Sequence, residues 1–253
     1  MSIERATISD REWSMIVPIL PSLPKVKIGN LDKCRQFIGA VLWVLRGGAE
    51  WRMLPPERGK WNSVFKRYSR WCDYGAWEQL LDHFVQDADL QDVSIDGTIN
   101  RAHACAAGYQ LNSAVQEALG RSKGGFSCKV HAACDACGLP LKFILTGGQA
   151  ADCTQAIPLL ESINAGAVLA DKAYDTNELR EWLKAQEIKA VIPPKSNRTE
   201  EVSCDFWHYK ERHTVECMFG KLKYYRRIAT RYEKKAINYK GMLCLASVLL
   251  WLR

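Results

Sequence analysis

The feature that most constrains this chain is a change of hydrophobic period near residue 90. Before it, apolar residues recur every three to four positions; after it, they come in short runs bounded by turn residues. Ser9 and Glu12 have the spacing of a capping box, so a helix is expected over residues 9–20. Phe37, Val41 and Leu45 place a second helix over 31–46, ended by Gly47-Gly48, and further helices fit 61–72 and 76–86. In the third helix Trp61, Val64, Phe65, Tyr68 and Trp71 line one stripe, which makes them core rather than base-stacking groups. Beyond residue 90, Val93 to Asp96 reads as a strand closed by a turn at Gly97. Residues 126–133 and 139–146 read as a hairpin turning at Asp135-Ala-Cys-Gly138. Short buried strands at 167–170 and 190–192 alternate with helices at 152–163 and 177–186, and helices over 205–225 and 238–252 close the chain. This pattern predicts an all-helical region over 1–90, followed over 91–253 by an α/β domain with a mixed sheet and flanking helices.

Charge adds a direction. Residues 195–253 hold 13 Lys and Arg against 6 Asp and Glu, a net of +7, which equals the net charge of all 253 residues. A basic excess confined to one quarter of the chain suits a polyanion-binding surface, although a solvated helix face explains it equally well. No signal-peptide core is visible. The longest apolar runs, 37–45 and 242–252, are too short to span a bilayer, so a cytoplasmic, nucleoid-associated protein with reduced, buried cysteines is expected.

Three carboxylates stand out by position. Asp96 and Asp171 each follow an apolar strand, where the crevice of an α/β sheet opens. Either one alone is better read as a turn or cap residue. The third, Glu216, shares a helix face with Tyr209, Arg212 and Lys223: at 100° per residue the four fall within roughly a 60° sector. An Arg212–Glu216 pair on a solvated face accounts for two of them but not for Tyr209 and Lys223. Cys204, His208, His213 and Cys217 have zinc-ligand chemistry but face opposite sides of the same helix, and Cys134-Asp-Ala-Cys137 lacks a second pair.

Tyr209-x2-Arg212-x3-Glu216-x6-Lys223 resembles the Y-x2-R-x3-E-x6-K signature of insertion-sequence transposases of the four and five families. Ile95-Asp-Gly-Thr98, Leu169-Ala-Asp-Lys-Ala-Tyr-Asp175, Ile192-Pro-Pro-Lys-Ser-Asn-Arg198, Gly120-Arg-Ser-Lys-Gly-Gly125, Gly138-Leu-Pro140 and Trp51-Arg-Met-Leu-Pro55 look like further landmarks, so the resemblance spans residues 8–252. Ala173 stands where the family usually has glycine.

The resemblance implies a ribonuclease-H-like fold and a DDE triad of Asp96, Asp171 and Glu216, acting as catalytic residues and as ligands for Mg²⁺ or Mn²⁺. Two such ions activate the attacking oxygen and stabilise the leaving one in phosphodiester chemistry. Asp175 is the rival second acid; Asp171 is preferred because it directly follows the apolar strand. The resemblance further implies double-stranded DNA as partner, both terminal inverted repeats and target, with a homodimer in the DNA complex. Tyr209, Arg212, Lys223, Lys195 and Arg198 are its candidate DNA contacts near the acids. Lys66, Arg67 and Arg70 are those of the helical region, which is expected to bind the DNA ends. A nuclease without strand transfer and a repressor without catalysis are the competing readings.

Overall fold

The computed structural model describes residues 7–23, 25–108, 117–199 and 201–253. Residues 1–6 of the expected helical region lie outside the described residues. In chain order the elements are α1 (Asp10–Ile16), α2 (Leu31–Gly47), α3 (Trp61–Asp73), α4 (Ala76–Val85), β1 (Asp92–Ala102), β2 (Gly120–Ser122), β3 (Gly125–Cys134), β4 (Pro140–Gly147), α5 (Ala156–Leu160), β5 (Ala167–Leu169), α6 (Asn177–Ala185), β6 (Lys189–Val191), α7 (His213–Lys223), α8 (Arg226–Ala229), β7 (Thr230–Arg231) and α9 (Ala236–Trp251). They divide into two compact units, one of residues 1–86, 101–117 and 222–253, the other of residues 87–100 and 118–221.

In the first unit the helix signals work as local chemistry requires. Ser9 accepts the Glu12 amide, and the Glu12 carboxylate returns to the Ser9 amide at 2.8 Å. Gly48 ends α2 at φ 70°, and a Cβ there would lie 2.9 Å from Cβ of Arg226, so both backbone and space call for glycine. The buried face of α3, with Val64, Tyr68 and Trp71, packs with α4 and α9. α9 is apolar on every side and is buried from Met242 to Leu250, so it needs cover all round. The early helices supply that cover, and the Tyr68 hydroxyl donates to the carbonyl of Asn238. That packing is why the first unit draws on both ends of the chain, whereas the sequence pattern placed one boundary at residue 90.

The second unit is built on a mixed sheet in the order β2-β3-β1-β5-β6, with β4 also on β3. β3 runs antiparallel to β2 and β4; β1, β5 and β6 are parallel, with Val93 opposite Val168 and Ser94 opposite Leu169. All three residues of β5 are buried, as expected for a central parallel strand.

Three expectations need correction. β1 does not end at Gly97 but continues to Ala102, and Arg101 and Ala102 pair with β7, a strand without a sequence signal of its own. The helix expected over 205–225 is a 3-10 turn, His208–Arg212, followed by α7. Asp205 tightens the entry: its carboxylate accepts the His208 amide at 3.0 Å and its carbonyl the Tyr209 amide at 2.8 Å. The helix expected over 152–163 is likewise a 3-10 turn, Asp152–Gln155, and then the short α5. Among the described residues, no helix is long and apolar enough to cross a membrane.

Candidate active site

Ser94 and Leu169 form the last pair between β1 and β5, and Asp96 and Asp171 each lie two residues further on. The two acids therefore stand at the same offset from that pair, Asp96 still within β1 and Asp171 just past the end of β5. Burial pushes the Asp96 carboxyl above its ordinary range. Asp171 and Asp152 push the same way, against the Gly97 amide, 2.7 Å away, and Arg212. Asp171 caps the 3-10 turn Lys172–Tyr174 by accepting the Ala173 amide at 2.7 Å. Ala173 is not among the residues with positive φ, so this turn does not need the glycine usual at that position.

Arg212 links the third acid to the first. Its Nη1 is 3.2 Å from Oδ2 of Asp96, and its Nη2 donates to Oε1 of Glu216, whose side chain is 57% exposed. The guanidinium also lies 5.8 Å from the centre of the Tyr209 ring. Burial works against its charge, but Tyr209, Asp96 and Glu216 outweigh that and raise its pKa. The structure thus gathers Asp96, Asp171, Arg212, Glu216 and Tyr209. Lys223 ends α7 and belongs to the other unit; burial lowers its pKa.

A neighbouring cluster escaped the sequence reading. The Asp152 carboxylate lies 3.0 Å from Nζ of Lys129 and 3.2 Å from Nδ1 of His131, whose Nε2 meets Oγ1 of Thr146 at 2.8 Å. Burial alone would raise the pKa of Asp152; His131 and Lys129 overcome it and hold the group below the ordinary carboxylate range. A Cβ on Gly97 would lie 1.9 Å from Oδ1 of Asp152, so Gly97 is there for this close approach rather than for a turn. The available signal was in β3: Lys129 and His131, two apart, share one face of a strand otherwise rich in small and apolar residues, and such a pair needs a buried partner. Tyr174 is also buried here. Its hydroxyl has no hydrogen-bond partner among the described residues, and after burial it is Asp152, Asp96 and Asp171 that raise its pKa.

Asp175 is committed elsewhere. It is buried, with Oδ1 at 2.6 Å from Nε of Arg180 and 2.8 Å from Nη1 of Arg198, and Oδ2 accepting the Lys195 amide at 2.7 Å. These partners overcome burial and hold its pKa below the ordinary range. Arg198 also donates to Asn177, so it fastens the segment around Lys195 to the start of α6. In the helical unit Lys66 and Arg70 are exposed. Arg67 instead donates to the carbonyls of Lys27 and Ile28, and its guanidinium lies 4.3 Å from the centre of the Phe37 ring.

No three His, Cys, Asp or Glu side chains among the described residues are close enough together to hold a metal ion. Arg212 lies between Asp96 and Glu216 as a cation shared by two carboxylates. The donors nevertheless fit a hard divalent ion. All are carboxylate oxygens, Asp96 is crowded by Asp171 and Asp152, and the Tyr174 hydroxyl can bond to a water. The zinc-like residues do not gather: His208 binds Asp92 at 2.8 Å, and burial pushes the Cys134 thiol up to about 12.

Comparison with known proteins gives the chain a family. Residues 87–251 match the family described as "Transposase DDE domain", and residues 8–81 match the one described as "Putative transposase of IS4/5 family". A Brucella ovis protein described as a transposase for insertion sequence element IS6501 is 45% identical over 128 residues, which is 49% of this chain and 98% of that protein. A Burkholderia cepacia protein described as a transposase for insertion sequence element IS402 is 33% identical over 134 residues, 48% of this chain and 61% of that one. Among solved structures, the piggyBac transposase synaptic complex with hairpin DNA superposes with a TM-score of 0.53 at 12% identity. It covers 96% of this chain and 72% of that one, a likeness of fold. The mixed sheet with flanking helices is accordingly the ribonuclease-H-like core of these enzymes, and the chain belongs to the DDE transposase family of bacterial insertion sequences.

Proposed function

We propose that the chain cuts the DNA ends of its insertion sequence and joins them to target DNA, with Asp96, Asp171 and Glu216 holding Mg²⁺ or Mn²⁺. The observation that carries this reading is the equal offset of Asp96 and Asp171 from the last β1–β5 pair, with Glu216 tied to Asp96 through Arg212. Divalent ions bound there would activate the attacking oxygen and stabilise charge on the leaving one.

The remaining groups handle DNA. Arg212 exchanges its two carboxylates for a phosphate of the DNA end, a change its planar fork suits, and so frees Asp96 and Glu216 for the ions. Tyr209 packs on the terminal nucleotide, while Lys195 and Lys223 meet phosphates. Arg198 acts through its bonds to Asp175 and Asn177, which hold Lys195 in place. The helical region binds the terminal inverted repeats of duplex DNA, two copies of the chain bring two ends together, and the protein works at the nucleoid, where its substrate is.

The test is end cleavage and end binding, measured separately with Mg²⁺ for Asp96→Asn, Asp171→Asn and Glu216→Gln. Cleavage should fall on the order of 10⁴-fold in each, the scale seen when one member of a catalytic unit is lost, with binding largely kept. Wild-type cutting by Glu216→Gln, or loss of cutting in Asp175→Asn but not in Asp171→Asn, overturns the assignment.

A further inference from the structure

Helix α3 has two chemically opposite faces. Val64, Tyr68 and Trp71 point into the core, while Ser63, Lys66, Arg67 and Arg70 follow one another at helical spacing along the other side. That second side is not a flat surface. With Lys25 and Lys27, and with Trp71 and Tyr74 at one end, it lines a cleft of about 660 Å³. Among the described residues, five cations line this cleft and no carboxylate does. Asp73, the nearest acid in sequence, is paired at 3.5 Å with Lys235.

Arg67 holds the two walls together. Its Nη2 reaches the carbonyls of Lys27 and Ile28 at 3.4 and 3.2 Å, and its guanidinium stacks on Phe37 and Trp71 at 4.3 and 5.3 Å. Lys25 adopts φ 62°, a left-handed conformation that is strained for a residue with a Cβ. Strain of this kind persists where the surrounding structure imposes it, and it accumulates at binding sites.

We infer that this cleft is a preformed seat for the phosphodiester backbone of duplex DNA, with Lys25, Lys27, Lys66 and Arg70 as phosphate contacts and Arg67 as a strut between its walls. The inference rests on the transposase reading and deepens it by locating where the helical region meets the DNA backbone. It gives Arg67 a positioning role and brings in Lys25 and Lys27. Like charges held this close in one cleft repel one another, and a polyanion relieves that repulsion along its whole length where a single small anion cannot. Phosphates bound in such a seat release counterions, so its contribution is readable from salt dependence.

The experiment measures binding of the full chain to a short fluorescent DNA duplex across roughly 50–200 mM salt. Each phosphate contact contributes about 0.9 to the slope of log affinity against log salt. Lys66→Gln/Arg70→Gln should therefore flatten the slope by about 2, and adding Lys25→Gln and Lys27→Gln by up to about 4. All four side chains are exposed, and the two-residue variant with a wild-type melting curve is sufficient alone. An unchanged slope in that folded variant overturns the inference. So does preferential binding of structured RNA that the same substitutions abolish. A wild-type chain that binds no duplex at all overturns the transposase reading instead, which keeps the two failures apart.

Discussion

Adding one methyl group at Gly97 is a sharp perturbation of the site, because it changes none of the acids. The new Cβ would stand 1.9 Å from Oδ1 and 2.9 Å from Cγ of Asp152, and 3.3 Å from Nδ1 of His131. One of these groups must move, and the carboxylate is the movable one. To move, it must leave Lys129 at 3.0 Å and His131 at 3.2 Å, both in a buried face of β3. Overpacking a tight site costs about 1–3 kcal/mol, and stripping a largely buried charge of its partner costs several more when complete. Asp152 retains some exposure, so Gly97→Ala should cost about 2–4 kcal/mol. For a chain of this length that lowers the melting temperature by roughly 5–15 °C. Calorimetry on wild type, Gly97→Ala, Asp152→Ala and the double variant closes a thermodynamic cycle. If the clash is with Asp152, the double variant should be no less stable than Asp152→Ala alone. Penalties that simply add, or a Gly97→Ala chain within about 0.5 kcal/mol of wild type, refute the reasoning.

Two further outcomes follow from the same geometry. Asp175→Asn should cost about 3 kcal/mol by leaving Arg180 and Arg198 without their buried anion. Because the folded pKa of Asp175 lies below its unfolded value, the wild-type advantage should be full above about pH 4 and fade as the pH falls through the lowered pKa, which denaturant titrations across pH will read. Added Mn²⁺ should raise the melting temperature of the wild type, by about 2.7 kcal/mol of stability at a hundredfold excess over its Kd, and should do so markedly less for Asp96→Asn, Asp171→Asn or Glu216→Gln. Equal shifts in all four proteins would place the ion elsewhere.

The helices and the hairpin were legible because their signals are local. The capping box at Ser9 and the glycine stop after α2 need only a few residues to act, and both are found as expected. The candidate site was legible only as positions: Asp96 and Asp171 follow two apolar segments, although β1 runs on past Asp96, and α7 carries Glu216. Its details were not, because they are set across distance in sequence. The helical wheel treated residues 205–225 as one helix, so it overstated the alignment of Tyr209 with Glu216 where a 3-10 turn intervenes. Gly97 carried the ordinary mark of a turn, yet its reason is a carboxylate 55 positions later. Asp171 and Asp175 differ chiefly in partners: the arginines and amide that occupy Asp175 lie 5 to 23 residues further on.

The burial of α9 among the first helices has a consequence for how the molecule comes into being. Tyr68, Trp71 and Trp77 form an apolar surface whose cover, α9, is made long after them, from residue 236 onward. At 5–20 residues per second, the helices that end near residue 86 wait roughly 10–30 s for it. During that interval they present aromatic surface to whatever else is nascent nearby. A message cut short after the α/β segment would yield a product that cannot close its own helical half, and such a product would go to chaperones and proteases rather than compete with the intact protein for DNA.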